Sequence, residues 1–382
     1  MRYSSASTKT ADPYRAGVDL GQKLESIGPQ VVIVFCTIHY VDSIHDLSAG
    51  IRDVLGDKLL VCGGTGDGTY ETGGVANHGA SALGIDTEGE SQWRAILLRG
   101  VHADSAGVAE RAVKQMQAEL GAPVSMAFVL ADGLKADGTS LVVGLRKALS
   151  APCFGGLTAD DRQFSRSVVF VGEEEAEDGL MLLAASGRVP IWLNCASGWK
   201  PVGGVGRVTR VEGTVLHEID GFSAEKFLRE QTGKTMGGME LAVLPIAEYL
   251  SDDDTHYALR SCSHIDTNGA VTLFGRIMPG SRVRVCHAST EEIVGGVEKA
   301  FAGVKNGGFE PAAALIVSCA GRKWLLAEAG QEEVNRTIAT LGMVPLIGLP
   351  SFGEICPFRP KDGAYSPVNF HNVTFVAGVL GR

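Results

Sequence analysis

The residues best placed for chemistry sit where apolar runs end. Cys319 follows the run Ala312 to Val317 and Ser318, and Arg322 comes three residues later. A cation that close favours the thiolate, which would make Cys319 reactive or a redox sensor. The alternative is a buried cysteine finishing a strand, with Arg322 paired to Glu354. Gly63-Gly64-Thr65-Gly66-Asp67-Gly68 supplies several backbone N–H groups, and such a nest stabilises phosphate or carboxylate. No G-K-[ST] follows it and no helix opens behind it, so it is neither a Walker A loop nor a dinucleotide fingerprint. It reads instead as a turn lining a ligand cleft, because loops at strand C-termini line the usual crevice of α/β sheets. A G-x-S-x-G nucleophile elbow does not occur. There is no C-x-x-C pair, and Cys262-x-His264 and Cys286-His287 lack a second ligand pair at zinc-finger spacing.

These groups need strands and helices to position them. Ala312 to Val317 is too short and too apolar for a typical helix and reads as a buried strand, followed by a turn. Val334, Ile338 and Leu341 then recur at helical spacing from Gly330 to Leu341, with Gly342 as C-cap. A second short strand, Val344 to Ile347, runs into Gly348-Leu349-Pro350-Ser351-Phe352-Gly353-Glu354. The same order recurs twice. Val31 to Cys36, a helix over Ile44 to Leu55 and Leu59 to Cys62 lead to the first Gly-rich turn. Val124 to Ala131, a helix over Leu141 to Leu149 and the turn Pro152 to Asp160, with Gly156 and Thr158, form the other echo. Three such units suggest duplicated architecture, although strand–helix–strand recurrence is also ordinary in α/β chains.

Specific motifs carry a resemblance. Ser318-Cys319-Ala320-Gly321-Arg322, the run Gly348 to Ile355, and His371-Asn372-x-Thr374 resemble the C-terminal half of a FIST protein. Val31 to Cys36 followed by Leu59 to Gly68 resembles the FIST N-terminal domain, although that domain usually continues Ser-Thr-Ala-Gly-Glu where this chain has Thr65-Gly66-Asp67-Gly68. Pro201-Val202-Gly203, Val208-Thr209, Asp220-Gly221 and Arg276 to Gly280 extend the match over nearly the whole chain. The resemblance implies a sensory, non-enzymatic protein that binds a small ligand and regulates a separate effector, such as a histidine kinase or cyclic-di-GMP enzyme. It raises Cys319, Arg322, Ser351 and Glu354 together as cleft residues, alongside Gly64, Thr65, Asp67, Gly156 and Thr158. One branch of the family binds haem and senses nitric oxide. For haem, His39, His264 and His287 are alternative axial candidates, and an amino acid or similar metabolite is the other ligand class. A cysteine-dependent enzyme using Cys319 is the competing function.

Length and charge fit this reading. A chain of 382 residues with 45% hydrophobic and 20% charged residues can bury two cores. The fold expected is α/β, two related domains over residues 1–200 and 201–382, each a mixed β-sheet flanked by helices. Their boundary is placed in the Gly- and Pro-rich Gly198 to Gly206. A formal charge of −10 without Lys/Arg clusters argues against nucleic acid and anionic membranes as partners. The polar start lacks a signal-peptide apolar stretch, and no apolar run approaches a membrane span, so the expected location is cytoplasmic. Reduced, buried cysteines fit that compartment. Asp252 to Asp254 reads as a solvated turn, or as a hard-cation site. The oligomeric state, including a homo-oligomer, stays open.

Overall fold

The computed structural model describes residues 1–382 other than 235–236, 238–240, 242, 251–256 and 360–363. The Asp252 to Asp254 run lies outside the described residues. The architecture is mixed α/β, with helices on mixed sheets.

Three six-stranded sheets repeat one plan. In the first, Val31–Cys36 pairs in parallel with Leu60–Thr65 across the helix Ile44–Leu55, and Ala80–Asp86 returns antiparallel beside Val31–Cys36. The second uses Val124–Ala131, the helix Gly138–Ala148, Cys153–Leu157 and returning Gly179–Gly187. The third uses Pro311–Cys319, the helices Ala320–Leu326 and Gln331–Leu341, Leu346–Ser351 and returning Phe375–Gly381. Even the register recurs, with Cys36 opposite Thr65, Ala131 opposite Leu157 and Cys319 opposite Ser351. The expected recurrence is therefore present in backbone pairing.

Each unit completes another unit's sheet. The hairpin Thr69–Glu71 and Gly74–Ala76 leaves the first unit to pair with Leu346–Ser351 of the third. From the second unit, Val169–Val171 and Glu174–Ala176 join Leu60–Thr65 of the first. Gly353–Pro357 and Val368–His371 of the third join Cys153–Leu157 of the second. These exchanges close a ring, and its inward faces share one core that includes Ile33, Phe35, Phe128, Phe154, Leu315 and Val317. Phe128 lies 6.0 Å from Phe35 and 5.0 Å from Phe154, so aromatic packing joins the first two units at the centre. Helices cover the outer faces, for example Leu20, Leu47 and Ile51 over Val32, Val34 and Val61.

A fourth sheet of eight strands is inserted between Ile191–Ala196 and the helix Thr290–Ala300, with Val208, Leu216, Phe227, Val271 and Val283 in its core. It docks through Arg260, whose Nη1 donates to the Phe370 carbonyl at 3.0 Å while Nη2 pairs with Glu248 at 2.9 Å. That contact brings Ser261 and Phe274 against the third unit.

Locally, Ser289 and Glu292 form a capping box and Ser223 is an N-cap, while the helix Ile44–Leu55 and the strand Val31–Cys36 stand where expected. Three segments differ from expectation. Arg2–Thr8, a polar start in sequence, is a strand because all seven residues find partners in Ala80–Asp86. Most of Gly198 to Gly206, where Gly and Pro place the domain boundary, belongs to a strand, Lys200–Glu212, that pairs with Arg282–His287 and Val215–Ile219. The turn expected after Cys319 is the helix Ala320–Leu326. Among the described residues no helix is long and apolar enough to cross a membrane.

Candidate functional site

The three Gly-rich turns meet at the strand C-termini. Asp67 N–H donates to the Pro350 carbonyl at 3.0 Å, Ala159 N–H to Thr65 at 3.0 Å and Phe352 N–H to Leu157 at 3.1 Å, so each turn is bonded to another. Two glycines are needed for this approach. A Cβ on Gly64 would lie 2.7 Å from Thr158 Cγ2, and one on Gly156 would lie 2.7 Å from Val317 Cγ1 and 2.8 Å from the Gly353 carbonyl. The hydroxyls serve the ring as well. Thr65 Oγ1 accepts from Val168 N–H at 3.2 Å, and Thr158 Oγ1 lies 3.0 Å from Ser167 Oγ. Gly64, Thr65, Gly156 and Thr158 are buried and line none of the cavities described below.

Arg322 does not pair with Glu354. The helix Ala320–Leu326 turns its guanidinium towards Glu333 in the first turn of Gln331–Leu341, with Nε at 2.8 Å and Nη2 at 2.7 Å from Oε1. Ser318 Oγ and Tyr70 Oη donate to Glu333 Oε2 at 3.0 and 2.9 Å. The carbonyls of Ser197 and Ile293 accept two further bonds from Arg322, so four of its five N–H donors are taken. A buried ion pair needs such satisfaction to offset its desolvation. Arg322 thus knits four segments together instead of facing a ligand.

Glu354 is left with neutral partners. Ser351 Oγ lies 2.7 Å from Oε1, and Thr374 N–H donates to Oε2 at 3.1 Å. Burial raises its carboxyl from 4.5 to about 8, so it keeps its proton at neutral pH. Burial likewise pushes the Cys319 thiol well up. The expected thiolate at Cys319 is therefore not supported by its surroundings, because the cation that was to stabilise it is engaged by Glu333.

A small cleft of about 30 Å³ is lined by Cys319, Ser351, Ser261 and Asn372, with the rings of Phe164, Phe352 and Trp324 as its aromatic roof. Phe164 stacks on Phe352 at 5.0 Å and meets Trp324 edge-on at 6.3 Å. The roof hangs from a strained loop. Asp161, Arg162 and Phe164 have φ of 54°, 64° and 48°, a left-handed conformation that non-glycine residues adopt at a cost. Asp160 holds the loop in place, its buried carboxylate accepting from the N–H groups of Phe164, Ser165 and Arg166 at 2.6 to 3.0 Å.

Beside this roof, charged groups gather around Asp67. Trp324 Nε1 donates to Asp67 Oδ2, Lys323 Nζ lies 3.6 Å from Oδ1, and Arg162 stands 5.5 Å over the Trp324 ring. Asp161 faces the same carboxylate. Burial, and then the Asp67 charge, raise Asp161 to about 6. His39 Nδ1 is 3.9 Å from Asp161 Oδ2 and 3.4 Å from His78 Nδ1. Of the residues expected from sequence, Asp67, His39, Cys319 and Ser351 thus lie in or around the cleft. Asp161, Lys323, Trp324, His78 and Phe164 were missed. The acid after Thr158 was the available signal, but Asp160 is the loop anchor and Asp161 the acid that faces Asp67.

The histidines do not suit haem. His264 and His287 are exposed on strands of the inserted sheet, and the His39 side chain is 52% exposed beside carboxylates. None of the three lines a cavity described here, whereas haem needs an apolar slot around its axial ligand. Among the described residues no cluster of three or more His, Cys, Asp or Glu is arranged to hold a metal ion.

The FIST N domain model matches residues 30–222 and the FIST C domain model matches residues 220–357. The chain belongs to the FIST family. FIST domains are sensory domains of signal transduction that bind small ligands. An uncharacterized protein of Methanocaldococcus jannaschii is 24% identical over 226 residues, covering 56% of this FIST chain and 43% of the relative, so the match spans less than half the relative's length. A chorismatase crystal structure aligns over 99% of this chain and 98% of its own at 12% identity, with a TM-score of 0.34. PurL from Thermotoga maritima complexed with FGAR aligns over 99% of this chain and 72% of its own at 12% identity, with a TM-score of 0.22. At these scores neither likeness bears on what the FIST chain does.

Proposed function

We propose that this FIST protein senses a small zwitterionic metabolite of the amino-acid type at the roofed cleft. The observation that carries the reading is the acid pair of buried Asp67 and half-buried Asp161 beside Lys323, with Asp67 bonded to the indole N–H of Trp324, whose ring meets Phe164 edge-on. A carboxylate pair recognises an ammonium group, Lys323 a carboxylate, and the rings an apolar or aromatic side chain. The cleft is only about 30 Å³, so a metabolite fits once the Phe164 roof moves aside. Its left-handed backbone makes that loop the element ligand binding can reset. A roof moved in this way changes the surface offered to a separate effector, for which a histidine kinase or cyclic-di-GMP enzyme is the class implied by the family resemblance.

A thermal-shift screen of single amino acids and small amines tests the reading, with haemin titrated in parallel. A saturable stabilisation by one or a few zwitterions, reduced by Asp161→Asn, is expected. Haemin giving a saturable Soret band at one per chain, with no metabolite shifting the melt, would replace it.

A further inference from the structure

A second constellation lies away from this cleft, where the third sheet meets the second. Cys195, in the edge strand Ile191–Ala196, and His371, at the end of Val368–His371, line a cavity of about 240 Å³ shared with Lys200, Tyr257, Lys299 and Thr374. His371 Nε2 lies 3.8 Å from Cys195 Sγ and 3.0 Å from the Cys356 carbonyl. Its ring is fixed edge-on to Phe358 at 5.0 Å. Behind Cys195 sits Cys356, on Gly353–Pro357, which packs against Ile191–Ala196. Cys356 does not reach the cavity and is fully buried, whereas Cys195 is 8% exposed.

The two thiols differ in their surroundings. Neighbouring Cys356, whose thiol donates to the Pro357 carbonyl at 3.3 Å, and the charge of His371 hold the Cys195 thiol well below its ordinary range. Burial, together with Cys195, pushes Cys356 the other way. Among the described residues the Cys195 thiol is the one that bonds a histidine side chain, and burial raises Cys36, Cys62, Cys153, Cys262, Cys286 and Cys319. Redox-sensing thiols combine a stabilised thiolate, access from solvent and a resolving partner. At this site Cys195 has the lowered thiol, a cavity that leads to it and Cys356 on the adjoining strand.

We propose that Cys195, His371 and Cys356 form a peroxide-responsive thiol switch, with Cys195 as the attacking sulfur, His371 as its proton partner and Cys356 as the resolving thiol. The Cys195 thiolate attacks one oxygen of a small hydroperoxide, the O–O bond breaks, and the departing oxygen takes the proton from the His371 imidazolium and leaves as water or an alcohol. Cys195 is then a sulfenic acid. The Cys356 sulfur attacks the Cys195 sulfur and displaces its hydroxyl, which leaves as water with the Cys356 proton. Two thiols and one hydroperoxide become one disulfide, one alcohol or water, and one water. The disulfide joins the strands Ile191–Ala196 and Gly353–Pro357, linking two sheets of the ring.

The test treats the reduced full chain with one equivalent of hydrogen peroxide and maps thiols by differential alkylation and peptide mass spectrometry. Expected is loss of two of the eight thiols as a Cys195–Cys356 disulfide. Iodoacetamide, at limiting dose and neutral pH, should label Cys195 at least about tenfold faster than any other cysteine. Cys356→Ser should halt the reaction at a Cys195 sulfenic acid that dimedone traps, and His371→Gln should slow it about tenfold or more. The wild-type measurements stand even where a variant fails to fold. Peroxide consumption at another cysteine, a Cys195 product without Cys356, or Cys195 labelling no faster than the rest would each overturn the proposal.

Discussion

Replacing Glu354 by glutamine should flatten the pH dependence of stability. The carboxyl is fully buried, with Ser351 and Thr374 as its hydrogen-bond partners and no cation paired to it, Arg322 being engaged by Glu333. Its folded value of about 8 stands above the ordinary 4.5, so the folded chain binds a proton that the unfolded chain has released. Stability from this group is fully present below about pH 4.5 and is lost progressively as pH rises to about 8. The loss over that window amounts to about 5 kcal/mol. Glutamine keeps an acceptor for Thr374 N–H and supplies an N–H to Ser351 Oγ, as the protonated acid does, but it cannot ionise. Urea unfolding of both proteins from pH 5 to 8.5 reads the difference directly. The wild-type midpoint should fall steeply relative to the variant, with the curves closest at the acid end. Parallel pH profiles would refute the reasoning, since they would place the Glu354 charge in the folded state.

Arg322→Ala leaves the Glu333 carboxylate buried without its cation, and a loss of about 3–5 kcal/mol is expected in denaturant melts. Gly156→Ala forces a methyl against Val317 and the Gly353 carbonyl, so about 1–3 kcal/mol of destabilisation should appear in the same assay. Phe164→Ala, at a ring that is 51% exposed, should leave the melting temperature nearly unchanged while weakening metabolite binding about tenfold by calorimetry.

The units were legible because each is written in short apolar runs punctuated by glycine. Val31–Cys36, Ile44–Leu55 and Val124–Ala131 have the bounds that local pattern assigns. The exchange between sheets was not legible. Thr69–Glu71 and Val169–Val171 are three residues long, too short for periodicity, and their partners are set by how whole sheets meet. Lys200–Glu212 hides in the same way, because its Gly and Pro residues sit on an exposed strand whose partners hold it extended. At the cleft, the recurring turn motif led to Asp67 and Ser351. Asp161 was overlooked because a neighbouring acid, Asp160, satisfied the pattern while serving as the backbone anchor. Arg322 was misassigned by distance along the chain, since the short helix after Cys319 redirects it. Cys195, Cys356 and His371 carry no local signal, as 176 residues separate the first from the last.

The central claim is that the acid pair at the roofed cleft binds an ammonium-bearing metabolite, and calorimetric titration of each proteinogenic amino acid into wild type and Asp161→Asn tests it most directly. For the amino acid that binds, wild-type affinity should fall about tenfold from pH 7 to pH 5 as Asp161, raised to about 6, takes up its proton. Asp161→Asn should bind at least about tenfold more weakly at pH 7, with little pH dependence left. Binding that ignores both the substitution and the pH change, or no binding of any amino acid, would contradict the account.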